Sequence, residues 1–190
     1  MTLPEKIIVD TNVPINANLA NTPKEIPAGM LNCVLSCIIA IECVIKQGGL
    51  VIDSGDEIYN EYLHNLCLSG QKGIGNAFMK WVHDNRWRLP DSDRVTISKN
   101  GDSYKEFPDH EGLVNFDISD RKFVAVANAH PKKPPILQST DCKWWGWVNF
   151  HSKCKILGGV AEFFSKAFLC RFPPENFPRP VVYPVHSLPV

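Results

Sequence analysis

The carboxylates of this chain fall where chemistry is usually placed. Asp10 closes the apolar run Ile7-Ile8-Val9, and Asp141 closes a later segment that starts with Ile136-Leu137. Glu57 and Glu61 are four residues apart, so on a helix they share a face one turn apart. Asp117 and Asp120 are three apart and are neighbours for the same reason. If the two apolar runs are parallel strands, their carboxyl ends and the helix starts beside them meet along one edge, where open α/β sheets bind their ligands. Two carboxylates about 4 Å apart repel by roughly 4 kcal/mol at an effective dielectric of 20. Several together need a cation or a raised pKa. Oxygen ligands without His or Cys suit Mg²⁺ or Mn²⁺. A site of that kind activates water and steadies charge on a phosphodiester.

The elements that must carry these acids read as alternating strands and helices. Lys6–Asp10 has the continuous apolar character of a buried parallel strand. Asn21–Pro27, with two prolines, reads as a loop. Asn32–Gln47 has helix length and apolar content, and Gly48-Gly49 stops it. Leu50-Val51-Ile52 is a second buried strand. Ser54 with Glu57 three residues on has capping-box spacing, and Ile58, Tyr59, Tyr62, Leu63 and Leu66 then form one helix face. A third helix is expected over about Asn76–Arg86, with Phe78, Trp81 and Val82 on one side. Arg94–Ser98 is a candidate strand and Lys99–Gly112 a turn-rich connection. A fourth helix begins near Asp117 and carries Phe123–Ala127. Ile136-Leu137 starts a strand ending at Thr140-Asp141. The alternation predicts an α/β domain with a largely parallel sheet. From Phe172 on, six prolines rule out a helix. Phe177, Val181, Val182, Tyr183 and Val185 make that tail too apolar for a free linker, so residues 172–190 are expected to be an extended strap on a domain spanning 1–171.

Composition removes several classes. At 190 residues, 44% hydrophobic and 21% charged, the chain has the make-up of one globular domain. Twenty basic residues balance twenty acidic ones, which excludes a polybasic nucleic-acid binder but leaves room for a local basic face. The longest apolar stretch, Cys33–Ile45, contains Glu42 and falls short of the roughly 20 residues a membrane span needs. Met1–Asp10 carries two acids and reads as no secretory leader. Seven scattered cysteines read as reduced thiols in a cytoplasmic protein. Cys142, His151 and Cys154 are an alternative set of zinc ligands, without a CxxC pair to accompany them. The Gly70–Gly75 run follows a helix and not a strand, so it is not a phosphate-cradling loop. No Gly-x-Ser-x-Gly elbow supports a serine hydrolase.

The ordered set Ile7-Ile8-Val9-Asp10-Thr11-Asn12, Leu50-Val51-Ile52-Asp53-Ser54 leading to Glu61-Tyr62, Asp117-Ile118-Ser119-Asp120-Arg121-Lys122-Phe123 and Ile136-Leu137-Gln138-Ser139-Thr140-Asp141 resembles the PIN domain over about Lys6–Trp144. The resemblance implies a three-layer α/β fold, with a central, mostly parallel sheet between helices. It also implies a metal-dependent nuclease, acting mostly on single-stranded RNA with Mg²⁺ or Mn²⁺. It implies metal and catalytic roles for Asp10, Glu61, Asp120 and Asp141, with Asp117 as an additional ligand and Thr11, Asn12 and Thr140 as hydrogen-bonding support. Glu42, inside an apolar helix, rivals Glu61 as the second acid. Cys142-Lys143-Trp144 stands where many members carry a further acid, so a second metal would be held weakly. Lys72 and Lys143 are candidate contacts to a nucleic-acid backbone, and Trp144, Trp145 and Trp147 candidate stacking rings. A toxin with an antitoxin or other protein partner, a defence nuclease and a processing enzyme are all compatible with this reading, as is a homodimer. Two rival readings remain. One is a degenerate PIN-like module that binds RNA or protein without cutting. The other is a phosphotransferase using Asp10 as nucleophile, which has Asn12 where a second acid is usual.

Overall fold

Ile7, Ile8 and Val9 are each at most 1% exposed. Successive strand side chains face opposite ways, so this segment is covered on both faces. The computed structural model describes residues 3–69, 72–109 and 113–139; Thr140, Asp141, Lys143, the three tryptophans, the alternative zinc ligands and the proline-rich tail lie outside the described residues. In chain order the elements are β1 (Ile8–Val9), α1 (Asn12–Asn18), α2 (Leu31–Gln47), β2 (Ile52–Asp53), α3 (Glu57–Asn65), α4 (Ile74–Asn85), β3 (Arg94–Val95), β4 (Lys99–Asn100), β5 (Ser103–Tyr104), α5 (Arg121–Ala129) and β6 (Ile136–Leu137).

The protein is mixed α/β with short parallel strands. β1 pairs with β6 in parallel, Ile8 opposite Ile136. β2 pairs with β3 in parallel, Ile52 opposite Arg94. A parallel bridge from Ile7 to Leu50 joins the two pairs, giving the lateral order β3, β2, β1, β6. All four point the same way, so Asp10, Asp53 and the residues after Leu137 leave at one edge. α1, α2 and α4 pack on one another, while α5 lies against β5, β6 and α3. Among the described residues no helix is long and apolar enough to cross a membrane.

The expected strand–helix order holds, with local corrections. Residues 12–18 form α1, which was not anticipated. Pro14 sits in its first turn, where a missing N–H is harmless, and Val13 and Ala17 enter the core. The stretch Asn21–Pro27 follows one 3₁₀ turn, Leu19–Asn21, and contains another, Pro23–Glu25. Gly48, at φ +73°, ends α2. Ser54 does not cap α3: its hydroxyl meets that of Thr96 at 3.1 Å. The Asp53 carboxylate caps instead, accepting from the Glu57 and Ile58 amides, both at 2.8 Å. Leu63 faces solvent while Ile58, Tyr59, Tyr62 and Leu66 are buried. The stretch read as turn-rich contains the β4–β5 hairpin, Lys99 opposite Tyr104. Cys37, Cys43 and Cys67 are free thiols, but Cys33 is disulfide-bonded, against the expectation of reduced thiols throughout.

At the opposite, amino edge a buried ionic cluster ties three segments. Lys6 Nζ donates to Asp93 at 2.7 Å, and His130 Nε2 lies 3.6 Å from the other Asp93 oxygen. His130 Nδ1 accepts from the Lys132 amide at 3.0 Å.

Candidate active site at the carboxyl edge

Asp10 is 2% exposed at the end of β1. Its amide donates to the Leu137 carbonyl at 2.9 Å, which registers it against β6. One carboxylate oxygen accepts from the Asn12 amide at 2.9 Å. That bond satisfies an otherwise orphaned donor at the start of α1. Thr11 occupies the N-cap position of α1 yet makes no side-chain cap. Its hydroxyl instead donates to Glu61 Oε1 at 2.6 Å, crossing from β1 to α3.

Glu61 is the meeting point of the site. Its second oxygen forms an ion pair with the Lys122 ammonium, on the first turn of α5. Lys122 also donates to the Ser119 carbonyl. Asp120, 8% exposed, ends the short 3₁₀ turn Ile118–Asp120 that leads into α5. Ser119 Oγ donates to Asp117 at 2.8 Å and approaches Asp120 at 3.3 Å. The Asp117 carboxylate also accepts from the Ser119 amide at 3.0 Å, which is a turn-capping role. The ends of β1, α3 and the start of α5 are thereby brought together.

Tyr62 registers the electrostatics. It is fully buried and its hydroxyl donates to the Val9 carbonyl, the last residue before Asp10. Burial pushes its pKa well above the ordinary value, and the negative charges of Asp10, Glu61 and Asp53 push it further. Burial likewise raises Asp53, opposed by the two helix amides it accepts from. The acids at the ends of β1 and β2 and on α3 therefore act on one hydroxyl.

Not every expected residue joins this group. Glu42 is exposed on α2 and makes no contact with this group, whereas Glu61 lies at this edge. Glu57 turns away, pairing with Lys99 at 2.8 Å and accepting from Tyr104 at 3.2 Å. Asn12 serves Asp10 through its backbone. Lys72 is exposed on the segment before α4. Among the described residues no three His, Cys, Asp or Glu side chains form a set that could hold a metal ion; Asp141, the remaining expected ligand, lies outside them. Reading the sequence assigned no role to Lys122, Asp53 or Tyr62. Asp53 had a usable signal, since it closes the second apolar run as Asp10 closes the first.

The exit from β6 is fixed by a buried polar contact. Asn16 Nδ2 donates to Ser139 Oγ at 2.7 Å, and Ser139 also hydrogen-bonds Cys37, whose thiol burial pushes up to about 12.

No family model, curated protein or solved structure matches the chain.

Proposed function

We propose that the protein is a PIN-like endoribonuclease with a three-layer α/β fold, hydrolysing phosphodiester bonds of single-stranded RNA with the help of Mg²⁺ or Mn²⁺. The observation that carries this reading is the seating of Glu61 between Thr11, next to Asp10, and Lys122, two residues after Asp120. The expected donors suit a hard divalent cation by their type. They are carboxylate oxygens without His or Cys.

Asp10, Glu61, Asp120 and Asp141 would hold the ion, with Asp117 beside them. A bound Mg²⁺ or Mn²⁺ supplies Lewis acidity toward the phosphate and lowers the pKa of bound water. The chain's own part is placement. Thr11 fixes the Glu61 carboxylate by donating to it. Tyr62 anchors the end of β1 through the Val9 carbonyl. Asn12 holds one Asp10 oxygen. Lys122 offsets carboxylate charge that would otherwise repel within the group. No side-chain nucleophile is required.

A second reading keeps the fold without the cutting: a degenerate PIN-like module that binds RNA or a protein. The Lys122–Glu61 ion pair favours it, since a resident ammonium competes with a metal. One experiment separates the two. Labelled single-stranded RNA is incubated with the protein and Mn²⁺, alongside Asp10→Asn and Glu61→Gln. The nuclease reading expects cleavage by the wild type and its loss in both variants, with circular dichroism unchanged. RNA left intact by a wild-type protein whose melting temperature rises with Mn²⁺ supports the degenerate module.

A further inference from the structure

A cleft of about 550 Å³ opens between the β4–β5 hairpin and the start of α5. Tyr104, Lys105, Phe107, Leu113, Val114 and Arg121 are among the residues that line it. One contact and one sequence neighbour run from it toward the elements that carry the acids. Tyr104 donates to Glu57, one helical turn before Glu61 on α3. Arg121 stands between Asp120 and Lys122 in sequence, so its side chain leaves the backbone at the acid group and enters the cleft wall.

The lining is cationic and flat-sided. The Arg121 guanidinium lies over the Phe107 ring, 5.3 Å from its centroid. It is held there by donating to the carbonyls of Phe116 at 3.2 Å and Val114 at 2.9 Å. Neither Arg121 nor Lys105 forms an ion pair among the described residues. A carboxylate partner would normally satisfy such a guanidinium. Its charge faces the cleft, where Asp109 is the one acid among the described lining residues. Val114 is 67% exposed and Leu113 is buried beneath it, so the floor is apolar. A planar guanidinium on an aromatic ring, an apolar floor and a free ammonium match the three parts of a nucleotide: a base that stacks, a sugar that packs and a phosphate that wants a cation.

We propose that this cleft binds a nucleotide of single-stranded RNA next to the scissile phosphate, with its base against Arg121 and Phe107 and its phosphate at Lys105. This rests on the nuclease reading for its adjacency to a cutting site, but the binding stands without it. An RNA strand leaving the acid edge along the hairpin meets this cleft first, and the cleft then sets which nucleotide flanks the cut.

Binding of a fluorescein-labelled single-stranded RNA octamer is followed by anisotropy in the Asp10→Asn protein, with and without Lys105→Glu, across a salt series. Mn²⁺-dependent cleavage is measured in parallel on protein with intact Asp10. Arg121→Lys, which keeps the charge and loses the stacking plane, is the second variant. Lys105→Glu is expected to weaken binding about tenfold and to lower the salt slope by about 0.7, the value for one phosphate contact on a single strand. KM should rise with kcat little changed, and Arg121→Lys should weaken binding without moving the salt slope. Binding and salt slope unchanged in both variants, with RNA still cut, overturns the cleft and leaves the nuclease reading standing. Lys105-dependent binding with no cleavage by the wild type supports the cleft and removes the nuclease reading. No binding of RNA at all overturns both.

Discussion

Thr11 and Glu61, fifty residues apart in sequence, share a 2.6 Å hydrogen bond at the carboxyl edge of the sheet. Thr11 spends its hydroxyl there and leaves α1 without a side-chain N-cap. A favoured capping residue that serves another segment gives up about 1 kcal/mol of helix stability, and the site gains a fixed carboxylate.

Thr11→Val tests that exchange. The substitution keeps the shape and removes the donor. Stability should fall by about 1 kcal/mol, the usual net contribution of one hydrogen bond, read as a urea midpoint. Mn²⁺-dependent cleavage should fall about 10–100-fold, as it does when a partner orienting a metal ligand is lost. Activity equal to wild type would show that Glu61 needs no orienting.

Lys122→Met addresses the competition between a side-chain ammonium and a metal for Glu61. An ion pair this close to solvent contributes about 0.2–1 kcal/mol, so the Mn²⁺ concentration that half-saturates the thermal shift should fall by up to about fivefold. Without metal the variant should melt below wild type, because the carboxylates lose a neighbouring cation. An unchanged Mn²⁺ midpoint would place metal binding away from Glu61.

The sheet was legible because buried parallel strands are continuous apolar runs. Ile7-Ile8-Val9 and Leu50-Val51-Ile52 have no polar alternation to obscure them. α1 was not legible: Asn12-Val13-Pro14-Ile15-Asn16-Ala17-Asn18 has the composition of a turn, and packing against α2 and α4 makes it helical. The β4–β5 hairpin was missed because Lys99-Asn100 and Ser103-Tyr104 show no hydrophobic period. It is held by the Tyr104 and Lys99 contacts to Glu57, which no local pattern encodes. Strand ends located Asp10, but helix spacing put Glu57 beside Glu61, and only Glu61 reaches Thr11. Which of Glu61 and Glu42 stands near the end of β1 needed the tertiary structure, since both sit on helices and only the first lies beside Thr11. Lys122 had no signal at all: a lysine on an exposed first turn usually meets solvent.

Alkaline pH should unfold the protein through its tyrosines. Tyr62 is held well above its ordinary value of 10.0 by burial and then by the neighbouring carboxylates, and burial pushes Tyr104 up to about 12. The neutral phenols are thus favoured in the folded state, and the unfolded chain releases those protons first. Stability is therefore fully present below pH 10 and falls as pH rises from about 10 through 12 and beyond. Tyr62→Phe should cost about 1 kcal/mol at neutral pH by losing the bond to Val9, and should make the decline above pH 10 shallower. Absorbance at 295 nm checks this: Tyr62 ionising with a midpoint near 10 in the folded protein would contradict its burial.

A single methyl group tests the docking of α4 on α1, which sets where Thr11 and Asp10 stand. In an exposed helix, Gly→Ala stabilises by up to about 1 kcal/mol. Gly75 should do the reverse. A Cβ there would lie 2.0 Å from the Pro14 carbonyl oxygen and 2.8 Å from its carbon, and backbone atoms cannot swing aside as a side chain can. Moving α4 away would break the paired amides beside it: Asn18 Nδ2 donates to Asn76 Oδ1 at 3.0 Å, and the Asn76 amide donates back to Asn18 at 3.2 Å. Asn76 also accepts from the Cys67 amide at 3.1 Å, so the strain reaches the end of α3. Overpacking of this kind costs about 1–3 kcal/mol, and Gly75→Ala should lie at the upper end. Gly48→Ala is the control. It has open space around it, but φ +73° with ψ −148° is backbone that essentially only glycine adopts, so it carries a backbone penalty of about 1–3 kcal/mol without a clash. Urea midpoints should fall in both variants, and cleavage should drop in Gly75→Ala alone because α1 starts one residue after Thr11. Gly75→Ala melting at or above the wild-type temperature would show that α4 does not rest on Pro14.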